Sequence, residues 1–241
     1  MEMASLRKMI QKVIEVTSLA GMPQINFVQK AKKGVNRPNQ RLGVLPASFD
    51  PSTKAHVALV GEARKRGMDE ILLLLDRRNV DKRSFGASLE DRVLLVASFF
   101  KEEDISIALS SHGLFLEKLS ALRRLYPPST KIYFLVGYDT ILRVLDKKYY
   151  HNRNREAALD ELFESSEFLV AGRGDKGEKE VLSLFEKEEN KRFKSKIKTI
   201  NIAPFTFISA TEIRRRIKRG KSLEALVPED ILPLINEIYK R

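Results

Sequence analysis

The chain has 241 residues, a formal net charge of +12 and no cysteine. That length holds one large or two small domains by the rough ~150-residue norm, and it is long enough for a proper core. The lack of cysteine excludes disulfides and thiolate metal sites, which an intracellular protein does not need, and no apolar run approaches the ~20 residues of a membrane span.

Residues Met1 to Met22 carry Glu2 and Glu15 among their basic residues and have no continuous apolar core, so they make a poor signal peptide. The positive charge is concentrated in two places. Met1 to Arg41 holds eight Lys/Arg against two Glu, and Asn190 to Lys221 holds eleven against one. Such clusters serve as a nucleic-acid footprint, as a solvated face, or as an attractor of polyphosphate into a cleft. No recognised nucleic-acid motif is present and there is no Trp. Nucleic acid is therefore not the expected partner.

In chain order, Ala4 to Leu19 has helical apolar spacing and stops at Gly21-Met-Pro23. It is expected to pack on the core or on a second subunit of a homo-oligomer. Ile25 to Gln40 reads as a short strand or turn followed by a basic connecting loop. From there strands and helices alternate. Leu42–Leu45 reads as a strand, Thr53–Arg66 as a helix closed by Gly67, and Glu70–Leu75 as a second strand. Asp76 to Ala87 is a polar loop with Arg77, Arg78, Lys82 and Arg83. Arg92–Lys101 continues a helix begun at Ser88. Ile105–Leu109 is a strand, Gly113–Tyr126 a helix stopped by Pro127-Pro128, and Lys131–Val136 a strand followed by a short helix, Tyr138–Leu145. Leu159–Glu164 is helical and Glu167–Ala171 a strand. Glu178–Phe193 reads as one charged amphipathic helix. Lys198–Ile202 is a strand, and Ser209–Lys218 and Pro228–Tyr239 are helices.

This alternation predicts an α/β fold with a parallel sheet and right-handed crossovers. The near-continuous apolar strands fit burial on both faces. Residues 1–40 are read as an N-terminal helix and basic connector, and 41–241 as one domain with a helical C-terminal extension. The dinucleotide fingerprint G-x-G-x-x-G is absent, and Gly172-Arg-Gly-Asp175 reads as a turn.

The segment Gly43 to His56 runs from strand through a tight loop, broken at Pro46 and Asp50-Pro51, into a helix. In an open parallel sheet ligands bind at the carboxyl ends of strands, where a helix start offers N–H groups to an anion. Thr53 and His56 are three residues apart and share a side of that helix start. Downstream, Ser209-Ala-Thr-Glu212 has the spacing of a helix capping box. Gly137 and Asp139 follow a strand, where Asp139 also fits a helix N-cap.

Ser48-Phe-Asp-Pro-Ser-Thr-Lys-Ala-His56 resembles the T/H-x-G-H signature of the nucleotidylyltransferases, and Ile208-Ser-Ala-Thr-Glu-Ile-Arg214 resembles their I-S-S-T-x-I-R signature. Phe134 to Thr140 resembles the G-x-D segment of the nicotinamide and nicotinate mononucleotide adenylyltransferases. Three motifs in order, from Leu42 to the C-terminus, are far more specific than one. The resemblance implies a Rossmann-like sheet flanked by helices. It also implies an adenylyltransferase that joins the AMP of ATP to a pyridine mononucleotide, with Mg2+ accompanying ATP and a cytoplasmic or nuclear location. Catalysis would fall to His56, Thr53 and Arg214. ATP would meet Ser48, Phe49, His56, Gly137, Asp139, Ser209, Thr211 and Arg214. The acceptor would meet Arg77, Lys82, Arg92 and Tyr149. No protein metal ligand is expected.

The chain departs from the family at Pro46-Ala47, where two glycines are usual, and at Ala55. The Trp that commonly stacks on the pyridine is missing, with Tyr149, Tyr150 and Phe115 as candidate replacements. The alternatives are the same transfer to phosphopantetheine or FMN, a CTP-dependent transfer, or a non-catalytic nucleotide- or RNA-binding module.

Overall fold

Seven strands form one sheet in the order β1-β4-β3-β2-β5-β6-β7. The computed structural model describes residues 3–77, 86–151 and 153–239. The strands are β1 Ile25–Gln29, β2 Arg41–Pro46, β3 Glu70–Asp76, β4 Ile105–Ser110, β5 Lys131–Gly137, β6 Ser166–Ala171 and β7 Ile197–Ile200. The helices are α1 Met3–Val16, α2 Lys54–Lys65, α3 Leu89–Phe99, α4 Phe115–Leu125, α5 Tyr138–Leu145, α6 Arg155–Ser165, α7 Glu178–Ser183, α8 Ala210–Lys218 and α9 Leu232–Tyr239.

β2 to β7 pair in parallel, as the alternation predicts. Their side chains divide between two cores. Leu72, Leu74, Phe134 and Val136 face α4 and α6, while Ile71, Leu73, Leu75 and Leu135 face α1, α2 and α3. Every residue from Ile71 to Leu75 is closed to solvent, which is why β3 carries no polar alternation. A third cluster joins α8 and α9 to α3 through Leu95, Ile213 and Ile235, and this is the expected C-terminal helical extension. Gly67 follows α2 with φ of +70°, a left-handed turn suited to glycine.

The N-terminal segment is part of the same sheet. β1 is an antiparallel edge strand on β4, an addition to the parallel sheet read from the sequence. Leu6 and Ile10 of α1 are buried in the core, and Arg7 bonds Glu90 at 2.7 Å and Asp91 at 3.0 Å. Of the two uses open to this helix, the structure shows packing on its own core. The connector is pinned by Glu70, a fully buried carboxylate. It accepts from the Val35 amide at 2.8 Å and from the Ser106 and Tyr126 hydroxyls at 2.6 Å each, so both buried oxygens are hydrogen-bonded.

Residues 178–193 do not form one helix. α7 ends at Ser183, and a 3-10 turn spans Lys191–Lys196. Phe185 and Phe193 both meet the ring of Phe163, at 6.4 and 4.6 Å between centroids. In a straight helix, positions eight apart lie ~12 Å from one another along the axis, so the chain folds back to bury both rings. Asn190 fastens the bend, donating to the Leu184 carbonyl at 2.9 Å and accepting from Arg155 at 2.7 Å.

The chain leaves β2 toward β3 and β4 on one side, then returns to place β5 on the other side of β2. The carboxyl ends of β2 and β5 therefore flank the topological switch point of the sheet, where a crevice opens.

Candidate active site

A cavity of about 380 Å³ opens at that switch point. Its centre is Pro46 to Ser48 after β2, Leu135 to Gly137 at the end of β5, and Thr53 and His56 at the start of α2. One side follows β3 and β4 and is lined by Asp76, Phe115, Glu117 and Lys118. The other follows β6 and β7 and is lined by Arg173, Ile202, Phe205, Ser209 and Thr211.

Thr53 caps α2, accepting the His56 amide at 3.3 Å, while the Thr53 amide donates to His56 Nδ1 at 3.0 Å. The Thr53 hydroxyl also lies 3.0 Å from Nδ1. Because Nδ1 accepts a backbone proton, the neutral ring carries its hydrogen on Nε2. Desolvation lowers the His56 pKa from 6.5 to about 4, so at neutral pH the cavity is offered an uncharged N–H donor. The Thr53 hydroxyl accepts one cap bond and packs beside the His56 ring. The α2 amides are partly consumed as well, since Lys54 donates to the Leu226 carbonyl at 2.9 Å.

This burial has a consequence for stability. Unfolded His56 takes up a proton at higher pH than folded His56. Its contribution is complete above about pH 6.5 and is lost as pH falls through about 4. Wild type should lose stability relative to His56→Gln between pH 7 and 5 in urea unfolding. Parallel curves for the two proteins would show that the imidazole is not desolvated.

The loop between Ser48 and Thr53 is held from behind. Phe49 has φ of +46° and is fully buried, with its ring 4.7 Å from that of His56. Asp50 accepts from Tyr239 OH at 2.6 Å and from the Ala87 amide at 3.1 Å. Arg214 donates to the Asp50 carbonyl at 2.6 Å and lies 3.3 Å from its carboxylate. A Cβ on Gly86 would sit 2.1 Å from an Asp50 oxygen, so only glycine fits there. Arg92 lies behind the same loop and donates to the Ser48 carbonyl at 2.9 Å.

Several of the residues expected at the ligand make contacts within the scaffold. Phe49, Arg92 and Arg214 are absent from the cavity wall. Arg214 faces a carboxylate of its own protein, Asp50. Arg77 bonds the Thr17 carbonyl at the end of α1 and also lies outside the wall. Lys82 falls outside the described residues.

Ser48, Thr53, His56, Gly137, Asp139, Tyr149, Ser209 and Thr211 do come together in the wall. Ser209 caps α8, accepting the Glu212 amide at 3.1 Å. The reciprocal half of the expected capping box is missing, because Glu212 turns to Arg215 at 2.9 Å and Arg216 at 3.3 Å. Asp139 is not the N-cap of α5, a position held by Gly137, and it pairs with Arg173 at 3.4 Å across the cavity rim.

Residues 44–216 match the profile of the cytidylyltransferase-like family. This chain belongs to the cytidylyltransferase-like family. A Schizosaccharomyces pombe protein assigned as a nicotinamide mononucleotide adenylyltransferase is 32% identical over 133 residues, 54% of this chain and 52% of the relative. The chain thus spans about half the length of that relative. A Dehalococcoides mccartyi protein assigned as a nicotinate-nucleotide adenylyltransferase is 27% identical over 83% of this chain and 98% of its own length. The fold matches that of Plasmodium falciparum nicotinic acid mononucleotide adenylyltransferase complexed with NaAD, with a TM-score of 0.61 at 18% identity, over 84% of this chain and 98% of that one.

The charge of this cytidylyltransferase-like cavity comes from places the composition did not indicate. Among the described residues its cations are Lys118, Arg143, Arg153 and Arg173, and none lies in either basic cluster. The second cluster is largely matched at the surface, with Arg192 on Glu156 and Asp160 and Lys198 on Glu167. Lys118 and Asp76 are functional candidates that sequence reasoning missed. The signal for Lys118 was its place in the stripe Leu114-Lys118-Leu122 of a helix whose neighbours on that face are apolar. Phe115, Tyr149 and Tyr150, named as stand-ins for the missing Trp, all reach the wall.

Proposed function

We propose that this chain transfers the AMP moiety of ATP to a pyridine mononucleotide, releasing pyrophosphate and making NAD or its deamido form. The observation that carries this reading is the convergence of His56 and the α8 N-terminus on one cavity at the switch point. ATP lies on the β6/β7 side. There the free amides at the start of α8 and the guanidinium of Arg173 meet its phosphates, and His56 Nε2 donates to the α-phosphate. The acceptor lies on the β3/β4 side, its ring against Phe115 and its phosphate turned to the centre. Its phosphate oxygen attacks the α-phosphorus in line, a bond to that oxygen forms, and the bond to the pyrophosphate oxygen breaks. The protein contributes positioning and charge stabilisation, and no covalent nucleophile is needed.

Among the described residues no group of three or more acidic or His side chains is placed to hold a metal. Each wall carboxylate has one protein partner, Asp76 the ammonium of Lys118, Glu117 the Leu114 amide and Asp139 the guanidinium of Arg173. This donor set fits Mg2+ brought in by the phosphates of ATP, which when bound neutralises charge on the leaving pyrophosphate.

Pyrophosphate release with Mg-ATP and a panel of nicotinamide and nicotinate mononucleotides, phosphopantetheine and FMN tests the reading. Release with a pyridine mononucleotide and formation of the dinucleotide is the expected result. Release with another acceptor alone would keep the transfer and discard the substrate. No release with any acceptor would discard the enzyme assignment.

A further inference from the structure

We propose that Asp76 makes this site selective for an uncharged ring substituent, so that a pyridine carboxamide is accepted in preference to a carboxylate. The proposal rests on the adenylyl-transfer reading above and deepens it. Lys118 and Asp76 form an ion pair in the wall of the acceptor side, with Lys118 Nζ 2.8 Å from Asp76 Oδ1. The lysine side chain is 1% exposed and the aspartate side chain 26%.

A buried lysine beside a ligand cavity would at first suggest a seat for an anion. The geometry assigns the opposite. The ammonium donates to the Gly113 carbonyl at 2.5 Å and to the His112 carbonyl at 3.3 Å, and it lies 2.8 Å from Asp76 Oδ1 as an ion pair. With its side chain 1% exposed, the ammonium is closed to a ligand. Asp76 Oδ1 is closed to solvent on the lysine side, so the exposed part of this carboxylate includes Oδ2. Among the described residues no hydrogen bond reaches Oδ2. What the pair presents to a ligand is therefore an acceptor oxygen with negative charge, and Glu117 of the same wall adds a second carboxylate. Burial pushes the Asp76 carboxyl pKa up, with Lys118 opposing, which fits a carboxylate poorly supplied with donors.

Phe115 sets the distance of the acceptor. Lys118 Nζ stands 5.7 Å from the centre of its ring and 2.8 Å from Asp76, so Phe115 and Asp76 are neighbours in the same wall, joined through Lys118. An amide N–H₂ satisfies Oδ2 with a charge-assisted hydrogen bond. A carboxylate in the same place meets like charge.

The test is kcat/KM for nicotinamide mononucleotide against nicotinate mononucleotide, at saturating Mg-ATP, in wild type and Asp76→Asn. Wild type should favour the amide by about tenfold or more, since a site built around one hydrogen bond discriminates strongly against a partner that cannot make it. Asp76→Asn should bring the two acceptors to within a few-fold, chiefly by lowering KM for the acid. Equal use of both acceptors by wild type, or preference for the acid, overturns the proposal without any variant. A folded Asp76→Asn protein that keeps the wild-type ratio also overturns it. Turnover with neither pyridine mononucleotide overturns the functional reading itself, and the selectivity proposal with it.

Discussion

His56→Ala is expected to lower turnover by about 10²–10³-fold while the protein stays folded, the usual loss when one preorganised donor to a developing anion is removed. The donor is preorganised by its other nitrogen. Nδ1 is engaged by the Thr53 amide at 3.0 Å, which fixes the tautomer and points Nε2–H at the cavity. With its pKa lowered to about 4, the ring is neutral before ATP binds and is stabilised as a cation only by approaching phosphate. The interaction thus strengthens as charge builds on the α-phosphate, which is the condition for raising kcat and not merely affinity. The structural cost is small. Alanine removes one hydrogen bond to the Thr53 amide, worth ~1 kcal/mol, and a ring contact with Phe49. Steady-state pyrophosphate release and a thermal melt separate the two effects. Activity within a few-fold of wild type would remove His56 from the reacting phosphate.

Asp50→Ala is expected to be the most destabilising change at the site and to abolish most activity without touching substrate. One carboxylate ties the signature loop to the C-terminal helix through Tyr239, to α8 through Arg214 and to the start of α3 through Ala87. Removing one partner of a part-buried ion pair costs ~3 kcal/mol or more, because the remaining charge keeps its desolvation penalty. For a chain of this size that lowers Tm by roughly 6–12 °C. The loop also loses the restraint on Phe49, whose φ of +46° places a bulky residue in the left-handed region. Such a conformation persists only when its surroundings impose it. Tyr239→Phe removes a single bond to the same carboxylate and should cost ~1–2 kcal/mol. Differential scanning calorimetry of both variants checks the order. An Asp50→Ala protein that melts within 2–3 °C of wild type, by the same scaling, would show that the contacts around Asp50 do not restrain the loop.

Local pattern carried a large part of this protein. The apolar runs at Leu42–Leu45 and Glu70–Leu75, the helical spacing after Thr53 and the stop at Gly67 depend on neighbours within a few residues, and each stands in the structure close to where the sequence placed it. The alternation of those segments requires a parallel sheet. The spacing of Thr53 to His56 requires that a cap and an imidazole share one helix start. Family membership follows from the same short segments, since the signatures are contiguous.

Contacts between distant segments decided the rest. Glu178–Phe193 has helical charge spacing, yet two phenylalanines compete for one partner ring, and periodicity does not register that competition. Arg214 sits on the face of α8 that its phase dictates, but what that face meets is Asp50, 164 residues earlier. Arg92 and Arg77 are diverted in the same way to carbonyls of Ser48 and Thr17. Basic residues counted along the chain gave no guide to the cavity, because a long cation goes to the nearest acceptor the fold supplies. Lys118 is the converse case. A lysine in an apolar stripe is unfavourable in isolation, and only the arrival of Asp76 from β3 and two carbonyls ahead of α4 makes it a stable part of the wall. The sequence by itself determined most of the elements and the family they belong to. The tertiary structure decided which charged groups line the cavity, because the partner that captures a side chain is set by packing across the sheet and not by its neighbours in the chain.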